Sequence, residues 1–157
     1  MRPDVSIVIV SFNTRELLRG CLSSIHAACA GRTHETFVVD NQSHDGSADM
    51  VAQDFPWVRL VRSPQNLGFA GGNNVAFRLV NGRFVYCLNP DTVSHPRSIA
   101  ILIDELERHP EIGYIGPKLL NQDGSHQLSA YRFHTVISGL FSWSMLGLDR
   151  RYPRSRH

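Results

Sequence analysis

The side chains best suited to chemistry sit where apolar runs stop. Residues 84–88 are apolar and break abruptly into Asn89-Pro90-Asp91; the run reads as a buried strand. Pro90 cannot donate a ladder hydrogen bond and biases Asn89 toward extended backbone, so the strand ends there. Asp91 is thereby carried to the carboxyl end of a strand, the edge where open α/β sheets bind ligands. A lone carboxylate in that place needs a cation or a donor. A hard divalent metal shared with a diphosphate is one partner; an Asx-turn or a cap for the helix beyond Thr92 is the other. Two further apolar runs break the same way, into Ser11-Phe12-Asn13 and into Asp40-Asn41. The stretch from Asn66 to Asn74, rich in Gly and Asn, opens a helix, and a helix amino terminus attracts phosphate through its free amides and dipole. Each feature alone can be a cap or a turn. All four at one sheet edge make a nucleotide site. There is no GxxxxGK[ST] and no GxGxxG, so neither a P-loop nor a dinucleotide turn supplies it. The histidines show no spacing that argues for a metal or a catalytic triad.

Positioning these groups requires alternating strands and helices. Residues 5–10, almost all apolar and β-branched, read as a central strand covered on both faces. Asn13 or Thr14 can cap the helix that follows, in which Leu17, Leu18, Cys21, Leu22, Ile25 and Cys29 make one apolar face. Residues 36–39 are the second strand, 42–47 a turn, and a short helix runs to about Asp54. Residues 57–61 are the third strand. The loop from Ser63 to Asn74 opens a helix to about Leu79, which Asn81-Gly82 ends. Residues 83–88 are the fourth strand. Ile99, Leu102, Ile103 and Leu106 mark a further helix that Pro110 stops. Residues 112–115 are expected as a fifth strand, and 118–120 with 127–129 as a hairpin around Asn121 to Gly124. This alternation predicts an α/β fold, a mostly parallel central sheet flanked by helices with right-handed crossovers, as one domain over 1–157. Residues 136–148 read as a helix apolar on most faces without a burial partner, which offers a membrane-surface contact or self-association.

The chain has 157 residues, 42% hydrophobic and 19% charged, ordinary values for one soluble domain. A net charge of +2 gives no electrostatic basis for nucleic acid as a partner. Arg150, Arg151, Arg154 and Arg156 are the one local excess of positive charge. Cys21, Cys29 and Cys87 form no CxxC pair, and an odd count at core-like positions fits the reduced thiols of a cytoplasmic protein. The apolar run near the amino terminus is too short for a signal peptide or a membrane span.

Taken in order, the motifs Val5 to Asn13, Val39 to Ser47, Asn66 to Asn74 and Leu88 to Thr92 resemble those of family-two inverting glycosyltransferases. These have the GT-A, Rossmann-like fold of nucleotide-diphospho-sugar transferases. The resemblance runs from Val5 to about Leu128 and is strongest to the rhamnosyltransferase-like branch, which builds bacterial cell-wall and surface polysaccharides. It implies transfer of a rhamnose-like or other hexose from a UDP- or dTDP-linked donor to a glycan or lipid-linked acceptor. Ser11, Phe12 and Asn13 would line the base and ribose pocket, and Asp40 would accept a hydrogen bond from the pyrimidine. Asn66, Gly72 and Asn73 would lie near the ribose and diphosphate. Asn89-Pro90-Asp91 would be the DXD-type metal motif, its first acid replaced by Asn89, so that Asp91 holds Mg²⁺ or Mn²⁺. The family also needs a general base on a second acidic motif downstream. Past Asp91 the acids are Asp104, Glu105, Glu107, Glu111, Asp123 and Asp149, and none sits in such a motif. The expectation is therefore a C-terminally truncated chain, the donor-binding half of an enzyme, cytoplasmic and peripheral at the inner face of the membrane. The alternative is a non-catalytic nucleotide-sugar-binding or regulatory partner domain. A nucleotidyltransferase would want a glycine-rich, basic loop after the first strand, where Ser11-Phe12-Asn13-Thr14 has no glycine.

Overall fold

The structure, a computed structural model, describes residues 2–127. The apolar helix expected at 136–148, Asp149 and the late arginines lie outside the described residues. The chain divides into Met1–Pro117 and Lys118–His157. In the first unit four strands form one sheet: β1 (Val5–Ser11), β2 (His34–Asp40), β3 (Arg59–Arg62) and β4 (Phe84–Cys87). Their order is β3-β2-β1-β4, and every pairing is parallel. The helices are α1 (Arg15–Ala28), α2 (Ser47–Asp54), α3 (Gly68–Phe77) and α4 (Ser98–Arg108).

The pleat sorts the core into two layers. Val5, Ile7 and Ile9 of β1 pack with Leu18, Leu22 and Ile25 of α1, Met50 of α2 and Ile103 of α4. Val8 and Val10 point the other way and pack with Phe37, Val39 and Ala76 of α3. Right-handed crossovers produce this division: the chain moves outward through α1 and α2, then reverses through α3, which must cover the opposite face. β1 is accordingly buried along its whole length, as its unbroken apolar run predicts.

Several expectations are corrected. No strand forms at 112–115 among the described residues; the segment is irregular and Tyr114 is 86% exposed, because a four-residue apolar run broken by Gly113 carries no burial of its own. β4 is not buried on both faces. Phe84 and Tyr86 pack against the α1 layer, but Val85 is 46% exposed and Cys87 is exposed, since α3 packs over β1 and β2 and leaves that side of β4 uncovered among the described residues. Cys87 is therefore not a core thiol, whereas Cys21 and Cys29 are. Leu17 is 55% exposed, off the buried face of α1 that ends in Ala28. β3 begins at Arg59 rather than Trp57.

The glycine-rich stretch is helix, not loop, from Gly68 onward. A Cβ on Gly72 would lie 2.7 Å from Val10 Cγ1, so glycine is there to let α3 approach β1. Gly82 likewise does not end a helix, which stops at Phe77; its Cβ would lie 2.4 Å from the Ser6 amide nitrogen. In the second unit β5 (Leu119–Leu120) and β6 (His126–Gln127) form the expected antiparallel hairpin, with Gly124 at φ +80° in its turn.

Candidate functional site

The strand order reverses between β1 and β4, and the carboxyl ends of the strands around that switch point carry the polar loops. Asp40 ends β2 and is 5% exposed. Its Oδ2 accepts the Ser43 amide at 3.2 Å, while Oδ1 is buried without a partner among the described residues. A buried carboxylate oxygen left unpaired costs on the order of 1–3 kcal/mol or more, so the position is held against folding's own preference.

The neighbouring residues hold the loops rather than line a cavity. Asn41 is buried; its Oδ1 accepts the Leu67 amide at 2.8 Å, and its Nδ2 donates to Asn66 Oδ1 at 2.8 Å and to the Gly68 carbonyl at 3.3 Å. The Asn66 Oδ1 also accepts the Gly68 amide at 2.9 Å. Asn side chains thus satisfy the first amides of α3, in place of the missing cap. The Asn13 amide donates to Ser43 Oγ at 2.9 Å, and Asn13 Oδ1 accepts the His44 amide at 2.8 Å. Asn13 and Gln42 both hold left-handed backbone, φ 54° and 69°, strain of a kind that concentrates at functional loops.

Asp45 performs the capping expected of Asn13 or Thr14. Thr14 makes no cap bond; its hydroxyl pairs with Ser11 Oγ at 2.8 Å. Asp45 Oδ2 instead accepts the Arg15 amide at the start of α1 at 2.8 Å, and Oδ1 accepts the Ser47 amide at the start of α2 at 3.0 Å. Burial acts to raise the Asp45 pKa. Bonds from the Ser47 hydroxyl and the Arg15 and Ser47 amides together outweigh it and hold the carboxyl below its ordinary value. Ser43 and Asp45 lie outside the expected site residues, and Asn41 is expected only as a polar strand end. Their signal is the density of Asx and Ser residues over 40–47, each able to bond a backbone amide nearby.

The remaining candidates fall at the same edge with differing freedom. Ser11 is fully buried and engaged with Thr14, Phe12 is 46% exposed, and Phe69 at the start of α3 is 60% exposed. Gly72 and Asn73 are buried in α3, with Asn73 Nδ2 donating to the Phe69 carbonyl at 2.9 Å. Past β4, the Thr92 amide donates to the Asn89 carbonyl at 3.2 Å, closing a turn that presents Asp91 exposed. Asp91 makes no side-chain hydrogen bond or ion pair among the described residues. No group of three metal-ligating side chains exists among them either. A cation held at Asp91 would complete its shell with ligand and water oxygens, as Mg²⁺ commonly does. β1 separates β2 from β4, so the strands that lead to Asp40 and Asp91 lie two strand spacings apart, about 10 Å.

Two cavities lie elsewhere. One of about 710 Å³ opens at the amino-terminal edge beside Arg2, Glu35, Arg59 and Asn81. The other, about 360 Å³, lies between β4 and α4.

The sequence profile described as Glycosyl transferase family 2 matches residues 6–154. The N-acetylglucosaminyl-diphospho-decaprenol L-rhamnosyltransferase of Mycobacterium tuberculosis is 29% identical over 150 residues, covering 88% of this chain and 48% of that protein. The undecaprenyl-phosphate 4-deoxy-4-formamido-L-arabinose transferase of Serratia proteamaculans is 32% identical over 140 residues, covering 85% of this chain and 42% of that one. Among solved structures, the mannosyltransferase PcManGT from Pyrobaculum calidifontis, in complex with GDP-Man and Mn²⁺, superposes with a TM-score of 0.61 at 27% identity, over 68% of this chain and 33% of that one. The chain spans about half the length, or less, of the relatives it matches.

Proposed function

Since this chain belongs to glycosyl transferase family 2 and has the GT-A architecture, we propose that it forms the donor-binding region of an inverting glycosyltransferase. The donor is a nucleoside diphosphate sugar with a pyrimidine base, UDP- or dTDP-linked. The sugar is a rhamnose-like or other hexose, moved to a lipid-linked or glycan acceptor in cell-wall or polysaccharide synthesis. The relatives' names support the acceptor class, since they specify a diphospho-decaprenol and an undecaprenyl phosphate. The work is assigned to the cytoplasmic side, at the membrane surface where such acceptors lie. No helix of the described residues is long and apolar enough to cross a membrane.

The observation that carries this reading is the unpartnered Asp40 Oδ1. Uracil and thymine present a single N3–H, which one free carboxylate oxygen matches. Phe12 and Asn13 flank the base and ribose, and Asn66 sets the amino terminus of α3 toward the diphosphate. Gly72 and Asn73 contribute by seating α3 against β1. Asn89 shapes the turn, and Asp91 holds Mg²⁺ or Mn²⁺. Bound there, the ion would offset the charge that grows on the departing diphosphate. The chain's own part is to bind the base, aim the diphosphate at that edge and keep the carboxylate available.

The test is isothermal titration of the chain with UDP, dTDP and GDP, with and without Mg²⁺ or Mn²⁺, beside Asp91→Ala. Binding of a pyrimidine diphosphate that strengthens with metal, and loses that gain in the variant, is expected. Absence of nucleotide binding by the folded chain, or preference for GDP, overturns the donor assignment.

A further inference from the structure

Asp91 has no side-chain partner among the described residues, where its place is set by its backbone. None of residues 89–98 is buried, and Val93 is 70% exposed. Hydrophobic packing therefore does not fix this segment. What fixes it is a row of hydrogen bonds to one stripe of α1. The Cys21 thiol donates to the Asn89 carbonyl at 3.6 Å. The Ser94 amide donates to Ser24 Oγ at 3.0 Å, while that hydroxyl donates to the Cys21 carbonyl at 2.7 Å. The Arg97 amide donates to the Ala27 carbonyl at 2.8 Å. Residues 21, 24 and 27 recur every three positions, one stripe about 9 Å long at the helical rise. They meet residues 89, 94 and 97 in the same order.

Arg97 shows that this row constrains the segment. It sits at φ 62°, a left-handed conformation that is unfavourable for a non-glycine residue and persists where surroundings impose it. Its anchor to Ala27 is such a constraint.

We propose that α1 is the ruler for the metal-binding carboxylate, with Cys21 and Ser24 as positioning residues that clamp the turn presenting Asp91 from both sides. This rests on the reading of Asp91 as the metal ligand. The two anchors bracket Asp91 at 89 and 94, so releasing them frees the turn without touching the base-binding end at Asp40.

The test is titration of the full chain with UDP in EDTA and in Mn²⁺, for wild type, Asp91→Ala, the double variant Cys21→Ala with Ser24→Ala, and the conservative pair Cys21→Ser with Ser24→Thr. The gain in UDP affinity brought by Mn²⁺ should fall about fivefold or more in the alanine pair, the worth of a net hydrogen bond. Affinity in EDTA should stay within about twofold, and the conservative pair should recover the gain. The inference is overturned by an unchanged Mn²⁺ gain in the alanine pair while Asp91→Ala abolishes it. It is overturned as well by a parallel fall with and without metal, which marks a merely structural role. If wild type shows no Mn²⁺ gain, the metal reading of Asp91 itself fails, a result distinct from both.

Discussion

Two carboxylates of the 40–47 loop do opposite things. Asp40 has an oxygen with no bond among the described residues; Asp45 is bonded by two helix amino termini. Asp45→Ala should therefore cost about 1–2 kcal/mol, as lost helix caps do, read as a lowered urea midpoint at pH 7. Asp40→Asn should behave differently. The amide oxygen must accept from Ser43, which turns the new NH₂ toward the ligand. That donor opposes the N3–H of uracil but matches the N3 acceptor of cytosine. Stability should hold or rise, because a buried charge is removed. UDP affinity should fall tenfold or more, the loss of a hydrogen bond to a charged group, and the CDP to UDP affinity ratio should increase. Titration of both nucleotides against the variant checks this; unchanged UDP affinity would remove Asp40 from the base site.

At the level of elements, α3 shows how a close approach is built. Gly72 lets the helix lie on Val10, so Gly72→Ala should destabilise by about 1–3 kcal/mol, the usual cost of overpacking. Val10→Ala in the same chain should recover part of that loss, since neighbours in contact are not additive. Denaturant unfolding of the two single variants and the double variant measures the coupling, and strict additivity would show that the contact does not set the helix position. The same glycine explains what was legible in the sequence. β1, β2 and α1 were readable because their burial repeats with the period of the element. The amino-terminal half of α3 reads as loop because Gly and Asn are poor helix formers, whereas tertiary packing demands small residues there. The end of β4 was legible through Pro90, but its exposed side was not, because Val85 and Cys87 look no different from core residues. At the site, Asp40 and Asp91 could be placed from strand ends alone. Ser43 and Asp45 could not, nor could the role of Asn41, because their bonds to Asn13, Arg15 and Leu67 cross 26 to 30 residues that no local pattern joins.

Across the whole first unit, the two edges of the sheet are built for different purposes, and pH should separate them. Among the described residues the carboxyl edge leaves Asp40 Oδ1 and Asp91 unpaired. The amino-terminal edge pairs its carboxylates tightly. Glu35 accepts the Ser6 hydroxyl at 2.6 Å and the Asn81 amide at 2.7 Å. Burial acts to raise its pKa, but these bonds and Arg59 together bring it below its ordinary value. Asp4 is lowered chiefly by bonds from the Thr33 amide and hydroxyl. For such groups the unfolded chain binds protons more readily, so their stabilisation is present above the unfolded pKa and is lost as pH falls through the folded one. His34 has the same sign at higher pH: burial, then the charge of His26, lower its pKa from 6.5. Its Nε2 lies 3.1 Å from His26 Nδ1, and the Trp57 ring lies tilted against His26, centroids 4.4 Å apart. Unfolding midpoints should thus decline gently below pH 6.5 and steeply below about 4.5, where the carboxylates titrate. His34→Gln should flatten the first phase and leave the second, followed by denaturant unfolding at stepped pH with tryptophan fluorescence as the probe. A first phase that survives in His34→Gln would mean that another group carries it. A single steep phase in wild type would mean that the histidine pair is not coupled to folding.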